Sequence, residues 1–220
     1  MAFPFPMPAE NFFASLKIQS CEFDLTENVI SSGFTEDGDG LTARLGARRW
    51  RASITLAPAY WDDADATMAR LSILREAGRS LFVHPVPRAF PRLDPMGQVL
   101  GAAQPTISGL PANPREMRLT GLPAGYVLSA GDGFSFAYGA NPVRYAFHRI
   151  VSMRTVASGT GTTPVFEVTP ALRPGASIGT PVVLARPFFK AVIVPGSASP
   201  GTSRGGVTRG MGFDVIQTPR

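Results

Sequence analysis

Between Arg49 and Leu56 apolar and polar residues alternate without a break. Trp50, Ala52, Ile54 and Leu56 fall on one face, and Arg49, Arg51, Ser53 and Thr55 on the other. A period of two is the signature of a half-buried strand, and Pro58 ends it. Residues 21–30 alternate with Phe23 and Leu25 on one face and predict an earlier strand. Thr35-Glu36-Asp37-Gly38-Asp39-Gly40 then reads as a turn. The period changes after Trp61. Ala64, Met68, Leu71 and Leu74 line one side at spacings of four and three, which predicts an amphipathic helix over about 62–77. Asp62 is placed to cap it, with Asp65 three residues on as the acidic partner of a capping box, and Gly78 supplies a left-handed stop.

Leu81-Phe82-Val83-His84 predicts a short strand, followed by a loop from about Pro85 to Pro114 with prolines at 85, 87, 91, 95, 105, 111 and 114. A loop this long in a compact domain is functional or leads to a second unit, so a domain boundary is placed within it. Residues 115–194 then read as strand after strand. Met117 and Leu119 open the series, and Tyr126–Leu128 lies between the turns at Gly125 and Gly131-Asp132-Gly133. Phe134, Phe136 and Tyr138 alternate with Ser135 and Ala137, and Val143, Tyr145 and Phe147 follow. Val165–Thr169, Pro181–Ala185 and Phe188–Val194 complete a pattern that predicts a small antiparallel barrel. Residues 196–206, rich in Gly and Ser, read as a flexible linker or mobile loop, and Met211–Thr218 as a last strand returning to the first sheet. The predicted fold is therefore mainly β. Residues 1–100 and 207–220 form a helix-covered β-barrel or sandwich, and a second small antiparallel β-barrel is inserted at 115–195.

Composition supports a folded chain: 44% of residues are hydrophobic and 17% charged, whereas disorder needs low hydropathy and high charge. The 23 glycines and 21 prolines are dispersed, as in an all-β protein with many turns. Cys21 stands alone, which excludes an intramolecular disulfide and predicts a packed small hydrophobe. The first eight residues lack a basic segment, and no apolar run approaches the roughly 20 residues of a membrane span, so synthesis and folding in the cytoplasm are expected. The net charge of +5 raises the question of polyanions, but only Arg48-Arg49-Trp50-Arg51 is locally dense. The alternation puts Arg49 and Arg51 on one face and Trp50 on the other, which predicts a polar strand face.

Candidate chemistry is sparse. His84 and His148 fall in different predicted domains without metal-ligand spacing, and a zinc site would lack a second cysteine. Asp37-Gly38-Asp39-Gly40 resembles the opening of a calcium loop, but arginine stands near the place where the bidentate glutamate belongs. Asp132 between two glycines is a turn residue with no second carboxylate in sequence to share acid–base work. There is no phosphate-binding loop. No catalytic, cofactor-binding or metal-binding residue is assigned, no cofactor is expected, and the chain is read as a structural protein rather than an enzyme.

One resemblance rests on the order of segments. Trp50–Pro58, the helix at 62–77, Leu81–His84 and the Pro-rich loop precede Gly121-Leu122-Pro123-Ala124-Gly125 and Leu128-Ser129-Ala130-Gly131-Asp132. An aromatic strand, His148-Arg149-Ile150-Val151 and Val168-Thr169-Pro170-Ala171-Leu172-Arg173 follow. Over about residues 45–195 this succession resembles the minor tail proteins of long-tailed, siphophage-type bacteriophages, and more narrowly the distal tail proteins. The resemblance implies a virion protein, made in the bacterial host cytoplasm, that forms a hexameric ring between the tail tube protein and the hub of the tail tip or baseplate. The N-terminal β unit would be the ring domain, and genome DNA would pass through the lumen without specific binding. Alternatives are another tail adaptor or tail terminator, a receptor- or glycan-binding tail module, or an enzyme such as a hydrolase of cell-wall polymers. No cluster of Trp or Tyr suited to sugar stacking is visible in the sequence. The Pro-rich loop, the N-terminal arm or the 196–206 stretch is expected to make part of the subunit contact.

Overall fold

The computed structural model describes residues 3–219. In chain order, the first part carries β1 (Ile18–Leu25), β2 (Val29–Phe34), β3 (Gly40–Arg44), β4 (Trp50–Leu56), β5 (Ala59–Tyr60), α1 (Trp61–Leu74) and β6 (Leu81–Val83). The middle part carries β7 (Thr106–Gly109), β8 (Glu116–Thr120), β9 (Val127–Ser129), β10 (Gly133–Tyr138), β11 (Arg144–Ile150), β12 (Arg154–Val156), β13 (Phe166–Thr169) and β14 (Val182–Val183). The chain ends with β15 (Phe189–Ile193), β16 (Ser199–Arg204) and β17 (Val207–Gln217). The protein is mainly β, with 41% of residues in strands and 11% in helix. No helix among the described residues is long and apolar enough to cross a membrane.

The first sheet runs β1-β4-β17-β15-β6, with β5 and β16 also paired to β17. The alternation in β4 is observed as predicted: Trp50, Ala52, Ile54 and Leu56 are buried, while Arg51 and Ser53 are exposed. The last strand lies between β4 and β15, so the chain end does return to the first sheet. Helix α1 contributes Ala64, Leu71 and Leu74 to this core, with Met68 half-buried beside them. Its boundaries differ from the expectation of 62–77. Tyr60 is the N-cap residue and no side chain caps the helix, so Asp62 does not serve as the cap. Asp62 and Asp63 instead lie in the first turn, where negative charge complements the positive end of the helix dipole. The helix closes at Leu74, and Gly78 (φ +81°) shapes the turn after it.

The second sheet runs β14-β10-β11-β13-β8-β7. A bridge between Thr106 and Pro181 brings its two outer strands together, giving a nearly closed six-stranded barrel. Phe134, Phe136, Phe166, Leu119 and Leu128 fill its interior.

The two cores share one strand. Ala146 and Ile150 of β11 are buried in the barrel, whereas Phe147, pointing the other way, belongs to the core of the first sheet. The Phe147 ring meets Trp50 edge-on at 5.0 Å, and the Trp50 Nε1–H donates to the Phe147 carbonyl at 2.8 Å. The Arg149 guanidinium lies over the Trp50 ring, and the Gln217 amide donates to the Tyr145 carbonyl. The two units are thus joined by an aromatic pair, a cation over a ring and two hydrogen bonds.

Four local expectations are corrected. The strand expected at 21–30 breaks after Leu25, because Asn28 takes a left-handed backbone (φ +47°) that no continuous strand admits. The Pro-rich loop is not structureless, since β7 lies inside it and Ile107 pairs with Leu119 to complete the barrel. The barrel does not extend to 195. Phe189, Ala191 and Ile193 of β15 are buried in the first core and pair with β6 and β17. Residues 196–206 are not a linker. Ser199–Arg204 pairs with β17, and Gly205-Gly206, both at positive φ, form a two-residue hairpin turn.

Candidate interaction surface

The residues singled out for possible chemistry are occupied with structural tasks. His148 is fully buried in the barrel, roughly parallel to both Phe134 and Phe136 with ring centroids 5.5 Å away. Its Nδ1 lies 2.8 Å from the Pro170 carbonyl, which it reaches as an N–H donor, and its Nε2 has no partner among the described residues. Burial pushes its pKa down to about 4, outweighing the opposing pull of the Pro170 carbonyl, so the ring is neutral near pH 7. His84 is far from this arrangement in role, packed edge-on against Phe13 at 5.1 Å, and burial followed by the nearby Arg186 charge lowers its pKa. Asp132 accepts hydrogen bonds from the Arg92 and Ser129 amides, so its carboxylate fastens two loops. Cys21 is half-buried, and burial pushes its thiol up to about 11. Asp37 and Asp39 stand in an exposed turn. Among the described residues no group of three or more His, Cys, Asp or Glu is placed to hold a metal.

Two side chains of the Arg48–Arg51 cluster, Arg48 and Arg51, are also engaged within the fold. Arg51 pairs with Asp214 of β17 across the sheet. Arg48 donates from Nε to the Thr26 carbonyl and from Nη2 to the Leu25 carbonyl, while its own carbonyl accepts from Arg173 of the barrel unit. These bonds matter because of what stands on them. The Thr26 amide donates to the Arg49 carbonyl, the Asn28 side-chain amide to the Ala47 carbonyl, and the Leu45 amide to the Asn28 carbonyl. Together they hold the root of the β2–β3 hairpin.

Beyond this root the hairpin touches little. Every residue of β2 and β3 is exposed, and among the described residues the two strands pair only with each other. Val29, Ile30, Phe34, Leu41 and Leu45 are all exposed large hydrophobic residues, Phe34 at 78%. The tip carries Glu36, Asp37 and Asp39, none of them in an ion pair among the described residues. Counting Glu27 and Arg44, residues 27–45 have a net charge of −3 in a chain of net +5.

A second exposed apolar surface follows β6. The Asp94 carboxylate accepts from the Val99 and Leu100 amides and the Tyr126 hydroxyl. Burial would raise the Asp94 pKa, but these donors outweigh it and hold the carboxyl below its ordinary range. The loop so fixed buries Leu100 in the barrel and turns Leu93, Met96 and Val99 outward, with Met96 71% exposed. Beside it lies an open groove of about 470 Å³ whose lining includes Pro87, Phe90, Pro91, Arg88 and Arg92.

The N-terminal arm, in contrast, packs against its own chain. Met7, Phe12 and Phe13 are buried in the first core, and Met7 bridges to Leu81 at the β6 edge. Of the expected contact segments, the Pro-rich loop is exposed where the arm is largely packed away. The hairpin was missed in the sequence, although Val29-Ile30 and Leu41 flanking the predicted turn were a usable signal. Compared by sequence with family profiles and with curated proteins, the chain matches none.

Proposed function

We propose that this chain is a structural assembly protein, and specifically a distal tail protein whose ring joins the tail tube of a long-tailed phage to the tip hub. The observation that carries the assembly reading is the β2–β3 hairpin, whose root is fixed by hydrogen bonds while its apolar blade packs on nothing. Large exposed apolar patches mark interaction sites in soluble proteins. Burial of side chains the size of Phe34 or Leu45 contributes roughly 1.5–3 kcal/mol each. Phage tail identity rests on the order of segments over about residues 45–195 and on the pairing of two β units in one subunit. A mainly β subunit with two interlocked cores suits a rigid ring, because the Trp50–Phe147 junction resists motion between the units.

The test is to replace residues 29–44 by a short turn and compare sedimentation velocity with the full chain. The proposal predicts a folded monomer from the shortened chain and a larger species from the parent. Equal masses for the two would count against the hairpin as the assembling element.

A further inference from the structure

We infer that the β2–β3 hairpin of one copy docks in the Arg88–Arg92 groove of the next copy, a head-to-tail contact that rests on the assembly reading above. Two independent features of the surface meet in this assignment. The hairpin offers Phe34 and Leu41 beside a tip of three unpaired carboxylates, Glu36, Asp37 and Asp39. The groove offers Pro87 and Phe90 beside Arg88 and Arg92, both exposed and neither in an ion pair among the described residues. Apolar surface faces apolar surface, and the two charge sets are opposite in sign.

Both partners are held in shape before they meet. The groove wall is fixed by the Arg92 amide on Asp132 and by the Arg186 amide on the Ala89 carbonyl, with the Arg186 guanidinium over Phe90. The hairpin root is fixed by Arg48 and, from the barrel unit, by Arg173. Such preorganisation lowers the entropy cost of association. Because hairpin and groove are different surfaces, the contact is heterologous, and repetition closes into a ring if the rotation permits. Acid–base contacts at its rim make the assembly sensitive to salt.

Charge reversal tests the assignment. One variant carries Glu36→Arg, Asp37→Arg and Asp39→Arg, and the other Arg88→Glu and Arg92→Glu. All five side chains are exposed, so circular dichroism should match the parent. Light scattering should show each variant alone associating at least about a hundredfold more weakly, because like charges then face one another. An equimolar mixture should recover the parental mass, since each reversed hairpin meets a reversed groove and each unchanged hairpin an unchanged one. An independent readout places Phe34→Cys and Ala89→Cys on a Cys21→Ser background, where oxidation should give disulfide-linked oligomers. A parent that is oligomeric while both reversed variants still assemble, or singly impaired variants that fail to rescue one another, would overturn the docking and leave the assembly reading standing. A parent that is monomeric at all concentrations would overturn both.

Discussion

Acidification should weaken the barrel through His148. Its ordinary pKa of 6.5 falls to about 4 in the fold, because the buried ring cannot be solvated when charged. The unfolded chain therefore binds a proton between these values where the folded chain does not. The stabilisation is complete above about pH 6.5 and is lost as the pH falls toward about 4. Linkage across a shift of this size removes about 2 kcal/mol between about pH 7.5 and pH 5, and about 3 kcal/mol by pH 4. His84, whose pKa is also lowered, adds to the trend with the same sign. A His148→Phe variant separates the two. It keeps an aromatic ring against Phe134 and Phe136 and removes the unpartnered Nε2, at the cost of the bond to the Pro170 carbonyl. That loss is independent of pH over this range. Urea unfolding from about pH 7.5 to pH 5, above the range where Asp94 and Asp214 titrate, should show the parent losing about 2 kcal/mol more than the variant. Parallel stability curves for the two proteins would refute the reasoning.

Phe147→Ala removes the ring shared between β11 and the first core and should cost about 3–5 kcal/mol, measured by denaturant unfolding. Because the same ring contacts Trp50, the variant should also change the Trp50 fluorescence in the folded state. Gly161→Ala places a Cβ against the Leu122 carbonyl at a positive φ of 74°, and a drop in melting temperature of several degrees is expected by calorimetry. The Cys21 thiol, raised to about 11 by burial, should react with iodoacetamide at pH 8 far more slowly in the native protein than in urea.

The most regular alternations in the sequence carried the most structural information. Trp50 to Leu56 faces the way its period predicts because the strand has one buried side, and Phe134, Phe136 and Tyr138 share the barrel face although Ser135 on the other face is buried too. Helix α1 was legible for the same reason, although its ends were not, since capping depended on backbone geometry at Tyr60 and Arg75 rather than on residue type. Ser199–Arg204 escaped notice because it pairs through backbone bonds with little apolar content to mark it. Phe189 was visible as a strand residue, but nothing local says which sheet receives it, and long-range packing decided for the first. Within the candidate surface, Arg88 and Arg92 were hidden in a segment read for its prolines. The hairpin was hidden because its apolar residues point to no core of the chain's own.

Symmetry is the most direct measure of the assembly account. Negative-stain images of the purified full-length chain, with mass by light scattering on the same sample, should give ring-shaped projections with six-fold symmetry and about six subunits' worth of mass. The expected mass is a multiple of the 23.4 kDa chain. Featureless particles of one chain's mass, unchanged up to high concentration and low salt, would contradict it.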